Sequence, residues 1–244
     1  PFVQQVSLWD GHRTLALLTY YATHPQSYHG KGGVSADFVG MARSLREATL
    51  PNVTHIHFNG AGGNVTAGKY NDGSPETRPL LARRLADGMS GAWDATTKSP
   101  IRCSDVRWQV RSVALPLSAQ FTEEKLLQSL DNPSVPLLYR VRSAIDLAWV
   151  HRTQAGHKID LACLRLGSTH VLHMPGELFV EYQLAAQKLR PNDTVCMAAY
   201  GDLGPGYIGT EIAYSEGGYE TGPASRVSPA VEAVLMAAIR ELLR

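Results

Sequence analysis

The stretch His170-Val171-Leu172-His173-Met174-Pro175-Gly176-Glu177-Leu178-Phe179 decides how this chain is read. A short apolar strand runs into Met-Pro-Gly, and the pattern beyond it predicts a helix from Glu177 to Leu189, with a carboxylate in its first turn. Pro175 cannot donate to a sheet ladder, and Gly176 permits a sharp bend. Glu177 is thereby delivered at the end of a buried strand, where open α/β sheets keep their chemistry. An acid there also complements the helix dipole, and that structural role stands beside the functional one.

Working outward, the same placement recurs. Lys158 to Leu166, then Gly167-Ser168, reads as the first half of a hairpin that delivers His170 to His173. Near the start, Phe2 to Trp9 and Arg13 to Ala22 read as another hairpin around Asp10-Gly11, the signature of a type I′ turn. Its second strand is nearly continuous in apolar character and ends at His24-Pro25, because proline holds the residue before it in an extended conformation. A glycine-rich loop from Tyr28 to Val34 and a helix from Ala36 to Ala48 follow.

A strand from Asn52 to Phe58 then runs into Asn59-Gly60-Ala61-Gly62-Gly63-Asn64-Val65-Thr66-Ala67-Gly68-Lys69. Its His55 and His57 share a face; that spacing suits a metal, or simply one polar face of a strand. Successive N–H groups in so glycine-rich a loop can point at one spot, so Gly62, Gly63 and Lys69 are candidates for holding an oxyanion or anion. The loop is not a P-loop, since no Gly-Lys-Ser/Thr opens a helix. Later, a short strand from Val195 to Ala199 leads into Gly204-Pro205-Gly206-Tyr207. His24, the glycine loop, Glu177 and Tyr207 thus all follow the carboxyl end of a strand. If those strands run parallel, all four line one crevice.

Composition narrows the classes. The 244 residues are 44% hydrophobic and 18% charged, with a net charge of +1 and scattered basic residues, so a globular fold is expected and a nucleic-acid footprint is not. No apolar run is long enough to span a membrane. Cys103, Cys163 and Cys196 are far apart and read as buried small hydrophobes, although a disulfide between two of them stays open. Helices are expected from about Ser74 to Trp93, from Phe121 to Leu130, from Pro136 to Gln154 and from Pro229 to Leu243, the middle pair forming a peripheral layer. A strand is expected over Val106 to Leu117, on an edge because Pro116 closes it.

His and Glu are a frequent zinc ligand pair, and catalytic zinc keeps a position open for water. Such a metal suits amide or ester hydrolysis, with loop N–H groups or a tyrosine hydroxyl stabilising the tetrahedral oxyanion. Thr66 could be a hydroxyl nucleophile or could merely hold its loop together.

The order His24-Pro25, a Gly/Asn-rich hydroxyl-bearing loop, Pro175-Gly176-Glu177, then Gly206-Tyr207 and Tyr219-Glu220 twelve residues on resembles the neutral/alkaline ceramidase family, zinc-dependent amidases that cut the N-acyl bond of sphingolipids. The resemblance runs from about His24 to Tyr219. It implies zinc held by His24, Glu177 and Tyr207, with Tyr219 assisting at the scissile carbonyl. Asn64-Val65-Thr66 stands where the family has Asn/Asp-x-Ser, so Asn64 and Thr66 are implied catalytic residues, threonine replacing serine. The family's first zinc histidine lies in an upstream His-x-His segment. The implied site is either completed by a segment or chain preceding Pro1 or left with three of its four ligands, and the whole of 1–244 is expected to be one ceramidase-like domain.

The expectations are an α/β domain with a mostly parallel central sheet, helices on its flanks and β-hairpins at its edge. The expected activity is zinc-dependent hydrolysis of an N-acyl amide, of a lipid or a smaller compound and not necessarily of ceramide, and the resemblance implies export. The rivals are a metal-free ligand-binding domain of the same ancestry and a structural domain with a degenerate site.

Overall fold

The computed structural model describes residues 2–31 and 33–244. The loop expected from Tyr28 to Val34 contains Gly32, which lies outside the described residues.

The chain opens with β1 (Gln4–Asp10) and β2 (Arg13–Tyr21), paired antiparallel, and β3 (Thr54–Asn59) adds in parallel to β2. Only the first of the two hairpin turn residues, Gly11, has a positive φ, so the turn is not the type I′ expected from Asp-Gly, which requires positive φ at both. Helix α1 (Asp37–Thr49) crosses between β2 and β3, and α2 (Thr77–Asp94) follows the glycine loop. The two helices bury Phe38, Val39 and Ala42 of α1 against Leu81, Leu85 and Met89 of α2, at helical spacing.

The second half is built on β4 (Val106–Val113), β5 (Ile159–Leu166), β6 (Thr169–His173) and β8 (Thr194–Ala198), hydrogen-bonded in that order. The β4–β5 and β5–β6 pairs are antiparallel, and β6–β8 is parallel. Helices α3 (Glu123–Asp131) and α4 (Leu137–Gln154) lie between β4 and β5, while α5 (Val180–Leu189) and, after the short α6 (Glu211–Glu216), α7 (Val231–Leu242) contribute to the main core. That core gathers Leu161, Leu172, Met197, Leu235 and Ile239.

The two larger sheets are mixed, so the expectation of a mostly parallel central sheet is corrected. The parallel pairs, β2–β3 and β6–β8, are the ones whose carboxyl ends bear the candidate residues. Those ends meet: the Ala199 N–H donates to the Asn59 carbonyl at 3.1 Å, and Tyr20, Val171, Cys196 and Ala198 form one cluster shared by the two sheets. Cys163 and Cys196 are buried, but Cys103 is exposed and all three are free thiols. No helix among the described residues is long and apolar enough to cross a membrane.

Glu177 does not open a helix. Glu177–Leu178 forms the two-residue strand β7, which pairs in parallel with β9 (Tyr207–Ile208), and α5 starts only at Val180. The helix expected from Glu177 therefore loses its first turn to a strand pairing made thirty residues away in sequence. That pairing removes the helix-dipole reading of the Glu177 carboxylate, and it fixes where the carboxylate goes.

Candidate functional site

Three local devices bring the site together. Pro25 ends β2, and the backbone of His24 bridges in parallel to Thr66, with the His24 N–H donating to the Val65 carbonyl at 3.0 Å. Gly176 adopts φ +60, and a Cβ there would stand 2.6 Å from the Gly206 carbonyl oxygen, so only glycine lets β7 swing alongside β9. Glu177 and Tyr207 are then register partners, the Glu177 N–H donating to the Gly206 carbonyl at 2.9 Å. Gly63 is the third device: a Cβ on it would lie 2.3 Å from the Glu177 carbonyl oxygen. Its absence lets the glycine loop close on β7, with the Gly63 N–H donating to Leu178 at 2.8 Å.

These devices place the His24 Nε2 2.8 Å from Glu177 Oε2, and the Tyr207 hydroxyl 3.3 Å from the same Nε2. The Tyr207 ring stacks on the imidazole at 6.0 Å between centroids. On the other side of the ring, His24 Nδ1 is 3.1 Å from the Val65 carbonyl oxygen. A carbonyl only accepts, so Nδ1 carries a proton and, in the neutral ring, Nε2 presents its lone pair. That lone pair faces a carboxylate oxygen, and two acceptors do not attract. A proton must sit between them, and the hydrogen bond to Glu177 raises the His24 pKa accordingly. A divalent cation shared by the same two atoms would remove that conflict as well. Burial, followed by the contact with Glu177, raises the Tyr207 pKa, so its hydroxyl keeps its proton near neutral pH.

Nitrogen and oxygen donors of this kind fit zinc, and the Nδ1–carbonyl contact is the outer partner that fixes a ligating histidine. Among the described residues no group of three or more His, Cys, Asp and Glu converges, so the centre consists of one histidine, one carboxylate and one tyrosine. His55 and His57 lie elsewhere on β3, and the His57 Nδ1 meets the Thr19 hydroxyl at 2.9 Å.

The remaining candidates are spread over the rim. Tyr219 is 62% exposed, and its ring stands edge-on to Tyr207 at 5.7 Å. Thr66 is exposed, its hydroxyl accepting from the Gln26 amide at 3.1 Å. Asn64 ties the loop to α5: its Oδ1 accepts from the Val180 N–H at 2.9 Å and its Nδ2 donates to Glu181. Lys69 is exposed with its ammonium 5.3 Å from the Tyr70 ring, and the Gly63 N–H already has its acceptor. These glycines allow close approach of two backbones. The Gly63 N–H is not turned outward to an anion.

Tyr200 belongs to the site and no sequence signal singles it out. It has φ +67, its ring edge meets His24 at 6.3 Å, and its buried hydroxyl has no hydrogen-bond partner among the described residues. A non-glycine residue held at positive φ stores strain of the kind that collects at functional sites.

No family model and no curated protein matches this sequence. Solved structures do. Neutral ceramidase from Pseudomonas aeruginosa superposes with a TM-score of 0.64 at 13% identity, covering 96% of this chain and 44% of that one. A ceramidase complexed with C2 superposes with a TM-score of 0.66 at 13% identity, covering 96% and 46%. The fold is ceramidase-like. The chain spans less than half the length of these two structures, and identity this low establishes the fold alone.

Proposed function

We propose that this chain carries the site of a zinc-dependent hydrolase acting on an N-acyl amide. The observation that supports it most is the pair of acceptors, His24 Nε2 and Glu177 Oε2, held 2.8 Å apart while Nδ1 is committed to Val65. Glu177, His24 and Tyr207 would hold the ion, and a zinc ion supplies polarisation of a carbonyl and a more acidic bound water. The chain's own residues do the rest. Val65 keeps the imidazole in its ligating tautomer, and the protonated Tyr207 hydroxyl closes one side of the centre. Tyr219, whose ring lies 5.7 Å from that of Tyr207, would donate to a developing oxyanion. Hydrolysis consumes one water and yields a carboxylic acid and an amine. Asn64 holds the loop that carries Thr66, whose hydroxyl faces an amide donor and not a base, which favours positioning over nucleophilic attack. The ceramidase-like fold favours an acylated amine as substrate, with ceramide as one candidate.

The metal-free rival draws on one specific observation, the convergence of only two His, Asp or Glu side chains. The test separates the readings. Protein prepared without chelator should hold near-stoichiometric zinc by mass spectrometry and hydrolyse a fluorogenic N-acyl amide. Glu177→Gln should lose the metal and at least about a hundredfold in rate, since it removes a ligand whose supporting contacts alone are worth ten- to hundredfold. A Glu177→Gln protein with full metal and full turnover refutes the proposal.

A further inference from the structure

Beside the His24–Glu177 centre the first half of the molecule holds a cavity of about 930 Å³, and its lining poses a chemical question. Its walls include Tyr21, Phe38, Val65, Leu81, Leu85 and Ala92, an apolar surface. Thr23 and Thr66 line it too, the first being the chain neighbour of His24 and the second its bridge partner, so the cavity adjoins the centre. Tyr70 and Arg84 also line it. The Arg84 guanidinium lies 5.0 Å from the Tyr70 ring and the Lys69 ammonium 5.3 Å from the same ring. Both cations are exposed, and among the described residues neither is within ion-pair distance of a carboxylate. The acid nearest in the loop, Asp72, is already bonded to the Thr77 hydroxyl and the Ser74 N–H.

An apolar cavity with two unpaired cations beside one aromatic ring is complementary to an apolar chain that ends in an anion. We infer that this cavity binds a medium-length amphiphile with its hydrocarbon chain among Phe38, Leu81 and Leu85 and its carboxylate at Arg84 and Lys69. A planar guanidinium suits a carboxylate, and that of Arg84 lies within cation–π reach of the Tyr70 ring at 5.0 Å. A fully extended chain advances at most about 14 Å from Thr66 to Tyr70, which bounds the distance from the centre to the cationic rim along this loop. Where the hydrolase reading also holds, the substrate is an amide whose apolar chain ends in a carboxylate, a class that excludes the uncharged ceramide. The binding claim itself does not depend on that reading.

The test is calorimetric titration of the metal-free full chain with octanoate, decanoate, octanol and octyltrimethylammonium, repeated on the longest native form of the protein. Octanoate should saturate one site, bind about tenfold or more tightly than octanol, and exceed the cationic analogue by more. Decanoate should bind more tightly still, by about fourfold for each added methylene that is fully buried. Arg84→Gln should bring octanoate down about tenfold, to the level of octanol, because a charge-assisted hydrogen bond is lost. Gly91→Leu should abolish binding of both. Gly91 lines the cavity, a Cβ on it meets nothing within 4 Å, and leucine favours the helix it sits in, so this variant fills space without unfolding the chain. Equal affinity for octanol and octanoate, an unchanged Arg84→Gln, or no saturable binding to the longest native form each overturns the inference, the last because polypeptide then fills the cavity. Binding as expected with no hydrolysis of any amide removes the hydrolase reading and leaves this one standing.

Discussion

The sheet that leads to Glu177 rests on Leu161, Leu172, Leu235 and Ile239, each sealed from solvent, whereas the sheet that leads to His24 rests on a smaller cluster of Phe38, Leu81, Leu85 and Met89, and the large cavity opens through that cluster. The second half contributes Glu177, Tyr207, Tyr219 and Tyr200; the first contributes His24 and the room beside it. A site assembled this way has a stiff half that fixes the donors and a looser half that can accept a ligand. The contrast predicts unequal costs for the same chemical change. Leu172→Ala, at a position with 0% exposure, should lower stability by about 3–5 kcal/mol, because the packed core cannot close over the void. Leu81→Ala lies on a cavity wall already, and should cost about 2 kcal/mol. Urea unfolding measures both, and equal costs would mean that the two halves are equally well packed.

Next in size is a change at the bend between β6 and β7, which aims Glu177. Gly176→Ala places a methyl 2.6 Å from the Gly206 carbonyl oxygen at φ +60, so it must cost strain and push β7 from β9. About 2 kcal/mol is expected, together with loss of zinc from a protein that binds it as proposed, since Glu177 moves with β7. Gly73→Ala is the control, at φ +79 with nothing within 4 Å of the added atom; about 1 kcal/mol and unchanged metal content are expected there. If both variants lose metal equally, the β7–β9 pairing is not what aims the carboxylate.

What could be read from sequence divides along the same line. Pro25 and Pro175-Gly176 are local signals, and they mark the ends of β2 and β6 correctly because a missing N–H and a free φ act on the residue that carries them. The strand state of Glu177–Leu178 is not local: it depends on Tyr207–Ile208, and nothing between positions 177 and 208 announces that pairing. The antiparallel run of β4 beside β5 is hidden for a similar reason, since α3 and α4 fill the connection and leave strand direction undetermined by periodicity. The glycines at 62 and 63 are readable as a special loop, but whether they free N–H groups for a ligand or admit a neighbouring backbone depends on β7. Tyr200 carries no signal at all, because a tyrosine after a strand is common and its positive φ appears only in three dimensions.

The smallest effect tests the comparison through pH, with two histidines that shift in opposite directions. His57, in the first sheet, has its pKa lowered from 6.5 to about 4 by burial and then by Arg43, and its Nε2 is buried without a partner. Its folded pKa lies below the unfolded one, so the unfolded chain binds the extra proton, and stability present above pH 6.5 is lost as the pH falls toward 4. The linkage amounts to about 1.5 kcal/mol between pH 6.5 and about pH 5. His24 has the opposite sign: its pKa is raised, first by the hydrogen bond to Glu177, so in metal-free protein its contribution is full below pH 6.5 and fades as the pH rises through the raised value. Zinc held as proposed would reverse the His24 trend, because the ion would displace that proton and bind more tightly as the pH rises. Unfolding of the metal-free chain across this range should therefore show an acid-side loss that His57→Gln reduces, the remainder coming from His55, His170 and His173, whose pKa values burial also lowers, and a neutral-side loss that Glu177→Gln reduces. With zinc present the neutral-side loss should disappear while the acid-side loss remains. A zinc-loaded protein that keeps the neutral-side loss would show that the proton between His24 and Glu177 is not what the metal replaces.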